Sequence, residues 1–436
     1  MKPAVDLPRL SYAASDKASA AVAPGAAPAA ALAPLNGTAG DDVLIGTAQD
    51  EAINGLAGND EIRSGGGNDS MMGGSGDDRI FSGPGNDTLD GGDGYDHLLF
   101  TDATAGVSIN MRTGTATGAA GNDTFTGFEL LFGSAFNDTY VGNDEGVSFL
   151  GADGNDTITG GAGRDRLEGN GGDDTIDGLG GVDGVAYYSA AFAVNVDLTA
   201  GVATGGLGND TLRNIEEAIG SVFGDTLKGS LSDNRLEGSD GNDTLISTSG
   251  NDTLDGGLGI DTAVYALPRN AYTLHRSAEA VFSVEKPGAT GSDSLPGTER
   301  LQFSDVRVAL DLDGHAGQTA KLLGAVFGSA ALANRQYAGI GLSLLDSGTS
   351  YSDLAALAVE ATGAPNHASI VTLLWTNLFG SAPTAAEAAP FVAMLDSGTP
   401  VGALTVLAAD LDLNTSHINL NGLAVTGIEY LPWVQP

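Results

Sequence analysis

The stretch "GTAGDDVLI GTAQDEAIN GLAGNDEIR SGGGNDSMM GGSGDDRIF SGPGNDTLD GGDGYDHLL" runs from Gly37 to Leu99 and divides into seven blocks of nine without a slip. The sixth slot of successive blocks holds Asp42, Glu51, Asp60, Asp69, Asp78, Asp87 and Asp96. The eighth holds Leu44, Ile53, Ile62, Met71, Ile80, Leu89 and Leu98. Glycine at slots one, two and four opens backbone angles closed to other residues, so the first six residues can make a tight turn. Slots seven to nine are then extended, with slot eight pointing inward. Two blocks complete one coil of a flattened solenoid, with a short strand on each side. Residues 18 apart in the sequence then stack at the strand spacing of about 4.7–4.9 Å. The fold expected is mainly β: a parallel β-roll, which is a right-handed β-solenoid.

The nine-residue register returns twice. From Gly133 to Ala186 the sixth slot holds Asp138, Val147, Asp156, Asp165, Asp174 and Asp183. From Gly220 to Val264 it holds Asp225, Asn234, Asp243, Asp252 and Asp261. A larger period lies over the smaller. Asp96, Asp123, Glu129, Asp138, Asp156, Asp165 and Asp174 map onto Asp183, Asp210, Glu216, Asp225, Asp243, Asp252 and Asp261 at a constant offset of 87. In "GSDSLPGTERLQF", Asp293 and Glu299 repeat the spacing of Asp123–Glu129 and Asp210–Glu216, a partial third copy. The bland reading of these Asp–Glu pairs, a structural corner, is preferred to extra ligands.

From about residue 316 glycine thins and apolar residues fall at helical spacing. Leu322, Leu323, Val326 and Phe327 share one face, and Leu354, Leu357 and Ala358 share another. Ser350–Asp353 and Thr384–Glu387 read as capping boxes. "LLDSGT" at 344–349 returns as "MLDSGT" at 394–399, and "VFGSA" at 326–330 as "LFGSA" at 378–382. These point to a second duplication, of helical hairpins. The chain thus divides into an Ala/Pro-rich flexible segment (1–36), a repeat region (37–310) and a small all-α region (311–436). Residues 1–36 read as low-complexity lead sequence rather than a secretory signal, which usually has a Leu-rich core.

The balance of 56 acidic against 18 basic residues gives a formal charge of −38. Such a chain is repelled by nucleic acid and by anionic lipid. No run of 18 apolar residues occurs, so no membrane span is expected. Cysteine is absent, which removes disulfides and thiolate chemistry.

Stacked coils set slot-six carboxylates about 5 Å apart. Bare, such a column repels itself, and the more so where water is excluded. A hard divalent cation reverses the sign. Calcium takes six to eight oxygens at about 2.3–2.6 Å, which carboxylate pairs and turn carbonyls can supply. Magnesium demands stricter octahedral geometry, and zinc lacks its nitrogen and sulfur ligands here. The pairs expected to hold calcium are 42/60, 60/78, 78/96, 69/87, 138/156, 156/174, 165/183, 225/243 and 243/261, nine strong sites. Asp252 sits in the same slot. Pairs containing Glu51, Val147 or Asn234 should be weak or empty.

The pattern G-G-x-G-x-D-x-(aliphatic)-x resembles the RTX, or haemolysin-type, calcium-binding nonapeptide repeat. The resemblance spans about 37–310. It implies export by a type I secretion machinery through an uncleaved C-terminal signal, with folding on calcium outside the cell. Residues 316–436 resemble, more distantly, a helical domain of unknown function that follows such repeats. "HAGQTAKLLGAVFG" and "NLNGLAVTGIEYLP" carry that likeness.

The five histidines fall in no H-E-x-x-H, and no G-x-S-x-G occurs. His97 reads as a turn residue and Trp375 as core. "DLDG" at 311–314 suggests an EF-hand start, but Leu322 replaces the acid that ends such a loop. The expected function is a non-enzymatic, secreted, calcium-binding structural or adhesive protein of the cell surface or matrix, like a surface layer. Self-assembly or surface polysaccharide would be its partner. The alternatives are a secreted enzyme with an unfamiliar site and a soluble polysaccharide-binding module.

Overall fold

Slot eight decides the architecture. The computed structural model describes residues 34–433, so the expected flexible segment lies almost wholly outside the described residues. The described chain forms two compact units. One comprises residues up to Val194 with Gly201–Ser221, and the other Asn195–Ala200 with Val222 onward.

In the first unit, Leu35–Asn36, Ala52–Ala57, Ser70–Ser75 and Thr88–Asp93 pair in parallel, aligning Leu35 with Ile53, Ile53 with Met71 and Met71 with Leu89. The facing sheet, from Val43–Ile45, Glu61–Arg63, Arg79–Phe81 and His97–Leu99, aligns Leu44, Ile62, Ile80 and Leu98. Partners are 18 residues apart, and these slot-eight side chains are buried between the sheets, save Leu35 at the start of the roll. The second register continues the same way through Tyr140, Phe149, Ile158, Leu167 and Ile176. Tyr140 and Phe149 stack at 4.3 Å.

The segment between the first two registers widens the roll rather than breaking it. Val107–Asn110, Thr115–Gly118 and Gly121–Thr126 form an antiparallel meander. Its outer strands rejoin the parallel ladder, with Phe125 beside Leu89 and Ile109 beside Tyr140.

Two glycine slots are set by geometry. At slot four, Gly76 has φ 125° and its α-carbon packs against the Gly58 carbonyl of the coil below, leaving no room for a β-carbon. Slot two is left-handed in many of the blocks, and there Leu56 (φ 81°), Ala152 (79°), Leu179 (68°) and Ser239 (78°) adopt it as glycines do.

The second unit contains the third register. Asn195–Asp197, Thr226–Lys228, Thr244–Ile246, Thr262–Val264 and Arg300–Gln302 are parallel. On the other side, Arg235–Glu237 and Thr253–Asp255 pair in parallel, and an antiparallel meander (Ser292–Leu295, Phe282–Glu285, Thr273–Arg276) continues the sheet.

The helices of this unit are α1 (His315–Leu322), α2 (Arg335–Asp346), α3 (Tyr351–Ala361), α4 (His367–Phe379), α5 (Ala385–Asp396), α6 (Val401–Ala409), α7 (Asp412–His417) and α8 (Leu420–Thr426). The second duplication is a unit of three helices, not a hairpin. His315, first in α1, meets Asp346, last in α2, at 2.7 Å; His367, first in α4, meets Asp396, last in α5, at 2.7 Å. The third helices, α3 and α6, pack on each other, with Gly402 against the Ser352 carbonyl. Thr384 and Glu387 form the expected capping box, and the Ser350 side chain accepts the Asp353 N–H.

Val326, Val359, Ile370, Val371, Leu374, Leu395 and Leu404 form one helical core. Of the face expected for Leu354, Leu357 and Ala358, Leu354 is buried and Leu357 exposed. Trp375 is only half-buried and stands 4.4 Å from Phe379 and 6.2 Å from Phe391, ring to ring. The last strand, Ile428–Tyr430, packs Ile428 and Tyr430 against α1 and α2 and pairs antiparallel with Arg307–Ala309. Asp311 receives the His315 N–H and the Arg300 guanidinium, so "DLDG" starts a helix and nothing more.

Candidate metal columns

Each slot-six aspartate uses its two oxygens differently. The Oδ1 of Asp78 accepts the backbone N–H of Asp60 at 2.8 Å, one coil earlier. Asp60 does the same for Asp42, Asp96 for Asp78, Asp69 for Glu51 and Asp87 for Asp69. In the second register Asp156 serves Asp138, Asp174 serves Asp156, Asp165 serves Val147 and Asp183 serves Asp165. In the third, Asp243 serves Asp225, Asp261 serves Asp243 and Asp252 serves Asn234. The structure therefore brings together every 18-residue pair expected from the sequence.

The second oxygen is the unusual one. Oδ2 of Asp60, Asp69, Asp78, Asp87, Asp96, Asp123, Asp156, Asp174, Asp183, Asp243 and Asp261 is buried without a hydrogen-bond partner. A buried, unpaired carboxylate oxygen is costly and calls for a cation or a proton. The free oxygens share a cradle. Asp78 Oδ2 and the Gly91 carbonyl flank the α-carbon of Gly73, and Asp60 Oδ2 and the Gly73 carbonyl flank that of Gly55. A β-carbon at slot one would fill this space, which is why glycine stands there. Oxygen donors, anionic and carbonyl, in a glycine-lined cradle suit calcium. No three acidic or histidine side chains converge among the described residues, so carboxylates plus carbonyls are the donor set.

Burial raises the carboxyls most, with charged neighbours adding to it and the N–H they accept opposing it. Asp87, Asp156, Asp174, Asp243 and Asp261 are pushed up to about 7. Asp96, Asp123 and Asp183 rise to about 6.

The first coils of the registers close on themselves. Asp42 Oδ2 accepts the Thr38 N–H at 2.6 Å, Asp138 Oδ2 the Ser134 N–H at 2.6 Å, and Asn234 Oδ1 the Ser230 N–H at 2.7 Å. Within a register, Asp165 Oδ2 accepts the Gly161 N–H at 2.7 Å. Asp252 Oδ2 lies 3.1 Å from Lys286 Nζ.

Sequence reasoning missed two features. The first is that the Asp–Glu corners are rungs. Asp123, Asp210 and Asp293 accept the N–H of Asp87, Asp174 and Asp252. Glu129, Glu216 and Glu299 accept those of Asp96, Asp183 and Asp261. The columns thus run across the inserts, and the shared six-residue spacing was the available signal.

The second is a ladder at slot five. Asn59 Oδ1 accepts the Asp77 N–H at 2.9 Å, and Asn68 Oδ1 the Asn86 N–H at 2.9 Å. These bonds run opposite to those of slot six. The signal was the Asn or Asp preceding most slot-six acids.

His97 lies in a strand rather than a turn, and burial with the nearby Arg79 charge lowers it to about 4. It is therefore neutral at pH 7.

Four stretches, residues 35–62, 63–98, 150–185 and 220–263, match the family model of the RTX calcium-binding nonapeptide repeat. No curated protein matches the chain.

Proposed function

We propose that this chain, a calcium-binding protein of RTX type, is a structural or adhesive component outside the cell whose roll sets fully only when calcium is present. The observation that carries the reading is the set of buried, unpartnered Oδ2 atoms at slot six. When bound, calcium supplies the positive charge those columns lack. The chain's own residues do the rest: slot-one glycines leave the space, Oδ1 atoms fix the coil spacing, and slot-eight side chains fill the interior. Extracellular modules bind calcium at about 0.1–1 mM, so the same chain would stay unfolded in a low-calcium cytosol and fold after export. The nine strong pairs set the expected stoichiometry.

The helical part supports a contact role. Trp375 sits beside Phe379 and Phe391, which are 49% and 37% exposed, so an aromatic patch faces outward. We assign no catalytic role. Both His–Asp pairs of the helical part join helix ends, and no helix among the described residues is long and apolar enough to cross a membrane.

Electron microscopy and light scattering with calcium and with chelator test this. Calcium-dependent sheets, filaments or attachment to cells are expected, lost on Trp375→Ala with Phe379→Ala while calcium binding persists. A chain that stays monomeric and non-adherent at every calcium level overturns the structural reading.

A further inference from the structure

One rung already contains a cation. Asp252 and Asp293 stand in the slot-six relation, the Asp252 N–H donating to Asp293 Oδ1 at 3.0 Å. Between them lies the ammonium of Lys286, 3.1 Å from Asp252 Oδ2 and 2.5 Å from Asp293 Oδ1. Lys286 Nζ also donates to the Thr248 carbonyl at 2.8 Å and stands 3.4 Å from Ser247 Oγ. Its donor set is that of a metal rung: two carboxylates, a turn carbonyl and a further oxygen. The Lys286 side chain is 4% exposed and both carboxylates are 0% exposed. Ser247 completes the exchange by donating to Asp293 Oδ2 at 2.6 Å, so neither aspartate retains the free oxygen seen in the other columns.

The lysine reaches this place from a segment outside the nine-residue register, directly after Phe282–Glu285 of the meander. The preceding rung of the same column is Asn234, which carries no charge. Along this edge of the third register, then, the chain itself supplies a positive charge that offsets one of the two carboxylates. Along the opposite edge, Asp243 and Asp261 keep free, buried oxygens.

We propose that Lys286 is a resident cation replacing calcium in the Asp252–Asp293 rung, so that this edge forms without metal and serves as a pre-set seam. The opposite edge then waits for calcium. This rests on the reading of slot six as the calcium site, and the test separates the two. In the full chain, calcium stoichiometry is counted by titration calorimetry for wild type, Asp243→Asn and Asp252→Asn. Asp243→Asn should bind fewer ions and Asp252→Asn the wild-type number. Fewer ions in Asp252→Asn overturns the lysine assignment. An unchanged count in Asp243→Asn overturns the calcium reading, and the assignment falls with it.

A second measurement does not depend on a variant folding. Acetylation of lysines in chelator, read by mass spectrometry, should modify Lys286 at least tenfold more slowly than in the urea-unfolded chain. Equal rates in the two conditions mean that the seam needs calcium, which overturns the proposal. Lys286→Met, where it folds, should bind one more ion than wild type; an unchanged count counts against the plug.

Discussion

At the scale of the residue, an aspartate with one bonded and one bare oxygen separates two contributions that substitution can split. Asp78→Asn keeps the acceptor for the Asp60 N–H and removes the anionic oxygen facing Gly73. Its calcium-free stability should equal or exceed wild type, while its stabilisation by calcium falls. Asp78→Ala removes both, and should in addition cost about 1–3 kcal/mol without calcium, the usual effect of stranding a buried donor. Urea unfolding in chelator and in calcium distinguishes the pair. The pH dependence follows from the same atoms. A carboxyl with an ordinary value of 3.8, held in the fold at about 7 (Asp87, Asp156, Asp243), binds protons more readily folded than unfolded. The fold's share of stability from protonating it is full below 3.8 and disappears as pH rises through about 7. In chelator, the melting temperature should therefore fall between pH 5 and pH 8. In excess calcium that slope should flatten, and calorimetry at pH 6.5 should show protons released as calcium binds.

At the scale of the element, the turn sets the tolerance. Where slot two is left-handed, the conformation costs a side-chain-bearing residue about 1–2 kcal/mol. Leu56, at φ 81° and 46% exposed, bears that strain without packing in return. Leu56→Gly should stabilise the roll by up to about 1 kcal/mol after the chain-entropy loss of glycine is set against it, measured by denaturant unfolding in calcium. Elements also show what a sequence displays and what it conceals. Slot eight was legible because an aliphatic residue every nine positions has no other use than an interior. The coil interval followed from it. The slot-five ladder was not legible, since Asn59 or Asp77 before an acid reads as ordinary turn chemistry. Asp123 and Glu129 were read as corners because the meander between Leu99 and Gly133 hides their register. Lys286 carries no pattern at all; only the folded chain brings it to Asp252. In the helical part the repeated motifs revealed the duplication. They did not show its content, because the His315–Asp346 contact joins helices rather than neighbours in sequence.

At the scale of the whole molecule, two kinds of interior answer differently to metal. The coils are narrow, with one inward side chain per block, and their edges hold buried acid. The helical cores, such as that around Val326, Leu374 and Leu404, are apolar throughout. Removing calcium should therefore weaken the β signal in circular dichroism far more than the helical signal, with the strands around the Lys286 rung retained. Limited proteolysis in chelator should yield a resistant fragment that contains the Lys286 rung and the helices, since Ile428–Tyr430 is held by Arg307–Ala309 and that strand by Arg300–Gln302. Full loss of helix together with the strands would refute this division.

The two side-chain ladders run in opposite senses along the roll. A slot-six oxygen reaches back to the N–H of the coil before it, while a slot-five oxygen reaches forward to the coil after it. Every interior coil is thus clasped from both sides, and the two ends of a register are chemically unlike. The C-terminal end offers slot-six N–H groups that await an acid and slot-five oxygens that await a donor; the N-terminal end offers the reverse, slot-six oxygens and slot-five N–H groups. Each register is therefore polar along its stacking direction, and a coil laid on it in the reverse sense would find neither clasp in place.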